Sequence, residues 1–287
     1  MNLSIFSRVK RPITIRRVLV RLVLWYIFVM VLLFFAQRHL LYRPGKLTAA
    51  QFTEQVSQRF EGKTQILSDF DAVVVEPSSP ATRTAILFHG NGGNGIDRYI
   101  LENDFSSRGY RLVLAEYPGY AARSGSPAEP TIVEDAHALY RDVLKRFPNE
   151  PVTLVGESLG TGVATQVAAT AAVPPAALVL ITPYHSMTEV AQKQVPLFPA
   201  TLILRDRYES GKVLPGYRGE VRIMVADQDE LLGVETGLAL FKVAKARGPA
   251  KLLRLPTAGH NTWVFQLTSQ QWDELLGPRP ATRPTQP

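Results

Sequence analysis

The sequence predicts an α/β domain, a mostly parallel sheet with helices on both faces, preceded by one helix of membrane-spanning length. Three observations carry that expectation. Short apolar runs at 72–75, 84–88, 111–116, 152–155, 177–181, 221–226 and 251–255 alternate with longer stretches of helical periodicity, as in sheets buried on both faces. Residues 18–36 form 19 consecutive positions with Arg21 the only charge. Gly156-Glu157-Ser158-Leu159-Gly160 stands where a β-branched run meets a small-residue helix.

The chain begins with a basic tail, residues 1–17, and the apolar stretch 18–36. At a helical rise of about 1.5 Å per residue that stretch reaches roughly the thickness of a bilayer core. Arg21 lies one turn from its end and can extend toward head groups. Basic residues crowd its N-terminal side, so the positive-inside rule predicts a cytoplasmic N-terminus and a domain on the other side, periplasmic in a bacterium. A cleaved signal peptide is the competing expectation. The sequence Phe35-Ala36-Gln37-Arg38 after the run lacks the paired small residues that a signal peptidase needs, which favours an uncleaved anchor.

Residues 37–71 read as a connecting region with a short helix near 48–60. The domain proper is expected over 72–276. Its strands are the runs above; its helices are expected at 96–108, 129–147, 158–172, 234–247 and 263–276. The segment 185–219 interrupts the alternation and is expected to form a short lid. Its apolar residues, Val195 to Phe198 and Leu202 to Leu204, suit an acyl pocket or a bilayer contact, and equally suit ordinary core packing. The Pro- and Thr-rich tail 277–287 is expected to be disordered.

Composition narrows the chemistry. A length of 287 residues with 46% hydrophobic residues supports a sizeable core. The absence of cysteine excludes disulfides, cysteine-ligated zinc and thiol catalysis. The net charge of +7 does not describe the domain, because nine of the basic residues and none of the acids lie in residues 1–46. The remaining 23 basic residues face 25 acidic ones, and no basic stripe suited to nucleic acid appears. No His/Asp/Glu spacing suggests a metal site, and no cofactor is expected. The oligomeric state is not legible.

A serine between glycines at this junction sits on a sharp turn that lifts its hydroxyl above the sheet edge, with the first amides of the helix aimed at whatever it attacks. A capping serine on a tight turn is the plainer reading of the pentapeptide alone. Two further strand ends supply partners for Ser158. The run 221–226 leads into Asp227-Gln228-Asp229-Glu230, and 251–255 leads toward Gly259-His260-Asn261. A serine hydroxyl is a poor nucleophile near neutral pH, so it needs His260 as base and a carboxylate to orient the imidazole. Asp229, inside the turn, is the preferred carboxylate, with Asp227 and Glu230 as alternatives. The loop His89-Gly90-Asn91-Gly92-Gly93-Asn94 follows another strand, and its small residues allow close approach of backbone to an acyl oxygen. The amides of Asn91, uncertain by one position, and Leu159 are the candidate oxyanion donors. His89 is expected to brace that loop, and His185 to lie near the pocket.

Taken together, these residues resemble the α/β-hydrolase superfamily, and more narrowly its membrane-anchored, ABHD-type serine hydrolases. The resemblance covers roughly residues 38–276. It rests on the segments 89–94 and 156–160 and on Tyr117-Pro118-Gly119-Tyr120 with Ser124-Gly125-Ser126-Pro127. It also takes in Thr182-Pro183-Tyr184-His185-Ser186, Arg205-Asp206-Arg207-Tyr208-Glu209-Ser210, Ala226-Asp227-Gln228-Asp229-Glu230 and Gly259-His260-Asn261. Ala226, where glycine is frequent, and Leu231-Leu232-Gly233, where a Val-Pro pair is common, depart from the pattern. The resemblance implies a serine hydrolase acting on small-molecule or lipid-like acyl esters or thioesters. The alternatives are acyl transfer to another acceptor, and a catalytically silent relative that binds a partner or lipid at the membrane.

Overall fold

The computed structural model describes residues 15–60 and 63–280. The expected basic tail, up to residue 14, and positions 281–287 of the expected disordered tail lie outside the described residues. The described chain divides into two units, the first ending at Gln37 and the second beginning at Arg38.

Helix α1, Ile15–Leu41, is longer than the expected 18–36 at both ends. It is long and apolar enough to cross a membrane, and large side chains such as Leu22, Trp25, Phe28, Leu32 and Phe35 stand exposed along it.

The second unit opens with α2, Ala49–Arg59, started by a capping box in which Thr48 and Gln51 satisfy each other's backbone N–H groups. Eight strands follow: β1 Thr64–Leu67, β2 Ala72–Val75, β3 Arg83–Phe88, β4 Tyr110–Leu114, β5 Val152–Glu157, β6 Ala177–Ile181, β7 Glu220–Ala226 and β8 Ala250–Leu255. They form one sheet in the order β8-β7-β6-β5-β3-β4-β2-β1. Every pairing from β8 to β4 is parallel, while β2 runs antiparallel to both its neighbours.

Alternate side chains along each strand serve opposite faces. Val73, Val75, Ala85, Leu87, Val155, Val179 and Met224 face one core together with Phe52 of α2, Phe105 of α3 (Glu102–Ser106), and Trp272 and Leu276 of α10 (Ser269–Leu276). The intervening Val74, Ile86, Leu154, Leu178 and Ile223 are equally buried on the other face. That side carries α5, Leu159–Thr170, with α4, Glu129–Arg146, packed against it, and α9, Val234–Lys245. Burying each such Val, Leu or Ile contributes about 1.5–3 kcal/mol, so both layers hold the sheet.

Four expectations need correction. Residues 64–67, expected as part of the connection 37–71, are the edge strand β1; only Ile66 and Leu67 are apolar there, because an edge strand buries little. The helix expected at 96–108 is a 3-10 turn, Gly95–Leu101, followed by α3, with Asn94 and Asp97 capping the tight start. The helix expected at 263–276 is likewise a 3-10 turn, Trp263–Phe265, before Thr268 caps α10. Residues 277–280, placed with the disordered tail by composition, are held by bonds from Arg83 to Pro278 O at 2.9 Å and from Arg279 to Ser269 Oγ at 3.0 Å.

Candidate active site

Register brings the carboxyl ends of the parallel strands to one rim: Phe88 pairs with Gly156, Glu157 with Ile181, and Ala226 with Leu255. Each candidate residue leaves a strand at that rim. Ser158 occupies the turn between β5 and α5 with φ +50°, a left-handed conformation that non-glycine residues rarely adopt. The glycines beside it are there for contact. A Cβ on Gly160 would stand 2.0 Å from Phe88 O, and one on Gly156 would stand 2.5 Å from Gly160 O. Bond donation from Ser158 N to Ile181 O, at 2.9 Å, ties the turn to the neighbouring strand.

His260 and Asp229 complete the arrangement. His260 Nε2 lies 2.8 Å from Ser158 Oγ, and its Nδ1 lies 2.7 Å from Asp229 Oδ2. The imidazole and the carboxylate are both about 95% buried. Burial by itself would push the Asp229 carboxyl up. The hydrogen bond and charge of His260 and the amides of Leu231 and Leu232 outweigh it and hold the group below its usual value. The alternative acids are occupied elsewhere: Asp227 pairs with Arg254 at 2.9 Å, and Glu230 accepts the backbone N–H of His260 at 3.3 Å.

The loop after β3 is held rigidly. His89, fully buried, places Nδ1 2.8 Å from Gly90 O and Nε2 3.1 Å from Glu116 Oε1. Glu116 also accepts from Gly95 N at 2.9 Å, and the Tyr117 hydroxyl donates to His89 O at 2.7 Å. A carbonyl can only accept, so His89 Nδ1 carries a proton. Gly90 O shares a trans peptide with the N–H of Asn91, and the two point in opposite directions. By gripping the oxygen, His89 aims the amide. Among the described residues, neither the Asn91 nor the Leu159 amide has a hydrogen-bond acceptor.

Sequence reasoning did not single out Glu116, nor the pair formed by Arg98 Nε and Glu157 Oε2 at 2.6 Å, which links the turn before Ser158 to the 3-10 helix. Glu157 was visible as the variable letter of the pentapeptide; Arg98 carried no signal. His185, expected near the pocket, bonds Glu189 at 2.8 Å at the start of the segment 185–219 and takes no part in the Ser158 arrangement.

The segment 185–219, expected as a lid, comprises α6 Met187–Gln194, α7 Ala200–Ile203 and α8 Ser210–Val213. Gln194 reaches Leu231 O at 2.8 Å, on the loop that carries Asp229. Of the apolar residues expected to line a pocket or touch a bilayer, Phe198 and Leu204 are buried, while Leu197 and Leu202 are 78% exposed. Phe198 and Leu204 thus follow the core-packing expectation, and Leu197 and Leu202 face outward.

Residues 85–210 match the family model for the alpha/beta hydrolase fold. An uncharacterised protein of Mycobacterium tuberculosis is 31% identical over 186 residues, 64% of this chain and 64% of that protein. Zebrafish (Danio rerio) lysophosphatidylserine lipase ABHD12 is 34% identical over 153 residues, 51% of this chain and 37% of the lipase. The matches thus span less than two thirds of these relatives. Among solved structures, the Pyrococcus furiosus esterase Pf2001 has a TM-score of 0.61 at 14% identity, covering 82% of this chain and 96% of that one. An alpha-beta hydrolase from Vibrio vulnificus has a TM-score of 0.58 at 17% identity, covering 78% and 92%. At such identities the likeness speaks for the fold alone. By the family-model match and these likenesses, the chain has the α/β-hydrolase fold, is similar in sequence to ABHD-type proteins, and carries one N-terminal apolar segment of membrane-spanning length.

Proposed function

We propose that the protein is a membrane-anchored serine hydrolase that cleaves carboxylic esters or thioesters of lipid-like acyl groups through an acyl-serine intermediate. The observation that carries this reading is the unbroken chain Ser158 Oγ, His260 Nε2, His260 Nδ1, Asp229 Oδ2, with links of 2.8 and 2.7 Å. Nδ1 faces a carboxylate and donates to it, which leaves Nε2 as the acceptor of the serine proton. As Oγ attacks the acyl carbon its proton passes to Nε2, and Asp229 stabilises the imidazolium that results. The proton then goes to the leaving alcohol or thiol. Water repeats the sequence on the acyl-serine, giving its proton to His260 and releasing the acid. The amides of Asn91 and Leu159 receive the oxyanion in both steps.

The lipid-like class is supported by the name of the zebrafish relative, a lysophosphatidylserine lipase, and by the exposed leucines of the lid. Anchoring through residues 18–36, with the N-terminus cytoplasmic and the domain on the opposite side, is supported by the basic flank of the apolar segment.

A fluorophosphonate probe tests the chemistry: the wild type is expected to label and Ser158→Ala to lose the label. An unlabelled wild type would sink the hydrolase reading and leave a binding protein on a hydrolase fold. p-Nitrophenyl esters of increasing chain length, beside acyl-thioesters, order the acyl preference. A reporter fused after Lys46 should be active outside the cytoplasm only.

A further inference from the structure

The segment that leaves α1 is bonded to the candidate oxyanion loop residue by residue. Leu41 is the last residue of α1, and its carbonyl accepts from Asn91 Nδ2 at 2.9 Å. Such a carbonyl has no partner within its own helix, so the carboxamide of Asn91 serves as a cap on α1. Two residues on, Arg43 N donates to Asn91 O at 3.0 Å, and Gly45 N donates to Gly93 O at 2.6 Å. Arg43 and Pro44 thereby pair in parallel with Gly92 and Gly93. The segment is fastened on its far side as well, where Ala121 N donates to Gly45 O and Leu47 N to Ala121 O. The Tyr120 hydroxyl adds a second bond to Asn91 O, at 2.8 Å.

These bonds meet the His89 brace at a single residue. His89 fixes the peptide on the N-terminal side of Asn91, the one that carries its N–H. The strap fixes the peptide on the C-terminal side, through Asn91 O, and the side chain, through Leu41 O. The fit leaves no slack: a Cβ added to Gly45 would stand 3.0 Å from both C and O of Gly93.

We propose that residues 41–46 are a positioning element of the active site, a strap that holds Asn91 in register from the end of the apolar helix. The inference rests on the reading of Asn91 N–H as an oxyanion donor. An oxyanion donor acts only within a few tenths of an ångström of its place, and a displacement of about 1 Å can cost about a hundredfold in rate. The strap therefore reaches kcat through Asn91 without touching substrate.

The test uses the full-length protein, with kcat and KM measured on a short soluble p-nitrophenyl ester and melting followed in parallel. Gly45→Ala should lower kcat several-fold and Gly45→Val at least twentyfold, with KM changed by less than about twofold. Thr48→Ala removes the cap of α2, at the far end of the same segment and away from the loop. It should lower the melting temperature and leave kcat where it was. Asn91→Ala keeps the backbone amide and loses only the tie to Leu41; it should lose at least tenfold in kcat, and it decides the matter if Gly45→Val does not fold. A folded Gly45→Val, or an Asn91→Ala, with wild-type kcat would overturn the proposal. So would rate losses that merely track the loss of melting temperature across all four variants. Fluorophosphonate labelling of the wild type separates the two layers: no label removes the hydrolase reading itself, whereas a labelled wild type with insensitive variants removes only the strap.

Discussion

Asp229 spends its two oxygens differently: Oδ2 stands 2.7 Å from His260 Nδ1, while Oδ1 accepts the amides of Leu231 at 3.0 Å and Leu232 at 2.8 Å. The second pair of bonds fixes the carboxylate plane, and the plane fixes the imidazole. Asp229→Asn is expected to keep the fold and lose about 10⁴-fold in kcat, because an amide nitrogen turned toward Nδ1 favours the wrong tautomer. Asp227→Asn, two residues away but committed to Arg254, should stay within about twofold of wild type. Equal losses in the two variants would contradict the assignment.

His89 acts one peptide away from the proposed oxyanion. Replacing it by alanine frees Gly90 O and lets the 90–91 peptide rotate, with an expected loss of about a hundredfold in kcat. The same change leaves Glu116 buried without its imidazole partner, so the melting temperature should fall too. Wild-type kcat in a folded His89→Ala protein would show that the peptide needs no grip.

The closeness of strand and helix at the elbow predicts a steric outcome. Gly160→Ala puts a methyl 2.0 Å from Phe88 O, against backbone that has nowhere to move. A destabilisation of about 3 kcal/mol or more is expected in denaturant unfolding. The same substitution at the half-buried Gly92, where a Cβ meets nothing within 4 Å, should cost far less.

Arg38 and Asp206 tie the start of the second unit to the segment 185–219, with Nε to Oδ2 at 2.8 Å and Nη2 to Oδ1 at 3.0 Å. Asp206 is buried and also accepts from Glu129 N at 3.1 Å. Arg38→Gln strips the charge from that carboxylate's main partner. Since Arg38 is itself partly exposed, the expected cost is about 2 kcal/mol, a fall in melting temperature of roughly 4–8 °C. An unchanged melting temperature would mean that the pair is replaced by solvent.

Acid should reach stability through Glu220. The hydrogen bond from Arg222, at 2.6 Å, with support from Lys251 at 3.0 Å and against partial desolvation, lowers this carboxyl from 4.5 to about 2. A carboxyl depressed in the folded state binds fewer protons there than in the unfolded chain, so its contribution is complete above pH 4.5. It is lost as pH falls from 4.5 toward 2. Screening by solvent reduces it to about 1 kcal/mol. Glu220→Gln is expected to flatten that limb of the stability-against-pH curve, and an identical acid limb in the variant would contradict the assignment.

Much of this was readable before any coordinates. Each of Ser158, Asp229 and His260 follows a run of apolar residues too short for a helix, and in a parallel sheet the carboxyl ends of such runs share one rim. Spacing alone left Asp227, Asp229 and Glu230 open, because the choice depends on which carboxylate the turn rotates inward. The edge strand β1 lacks the apolar residues that mark a strand; the change from 3-10 to α winding at Leu101 has no capping side chain to mark it, and Thr268 restarts the last helix inside an unbroken periodicity.

The sequence by itself determined the layers, the apolar N-terminal helix and the order of the candidate residues, since these depend on local periodicity and on the few residue types a sharp turn tolerates. Only the tertiary structure decided how the loop at 89–94 is held. Its partners, Glu116 and the stretch from Leu41 to Lys46, are ordinary letters far away in the chain. Hydrogen bonds between backbone groups leave no mark on residue type, so the grip on Asn91 becomes visible only when the strands have brought those segments together.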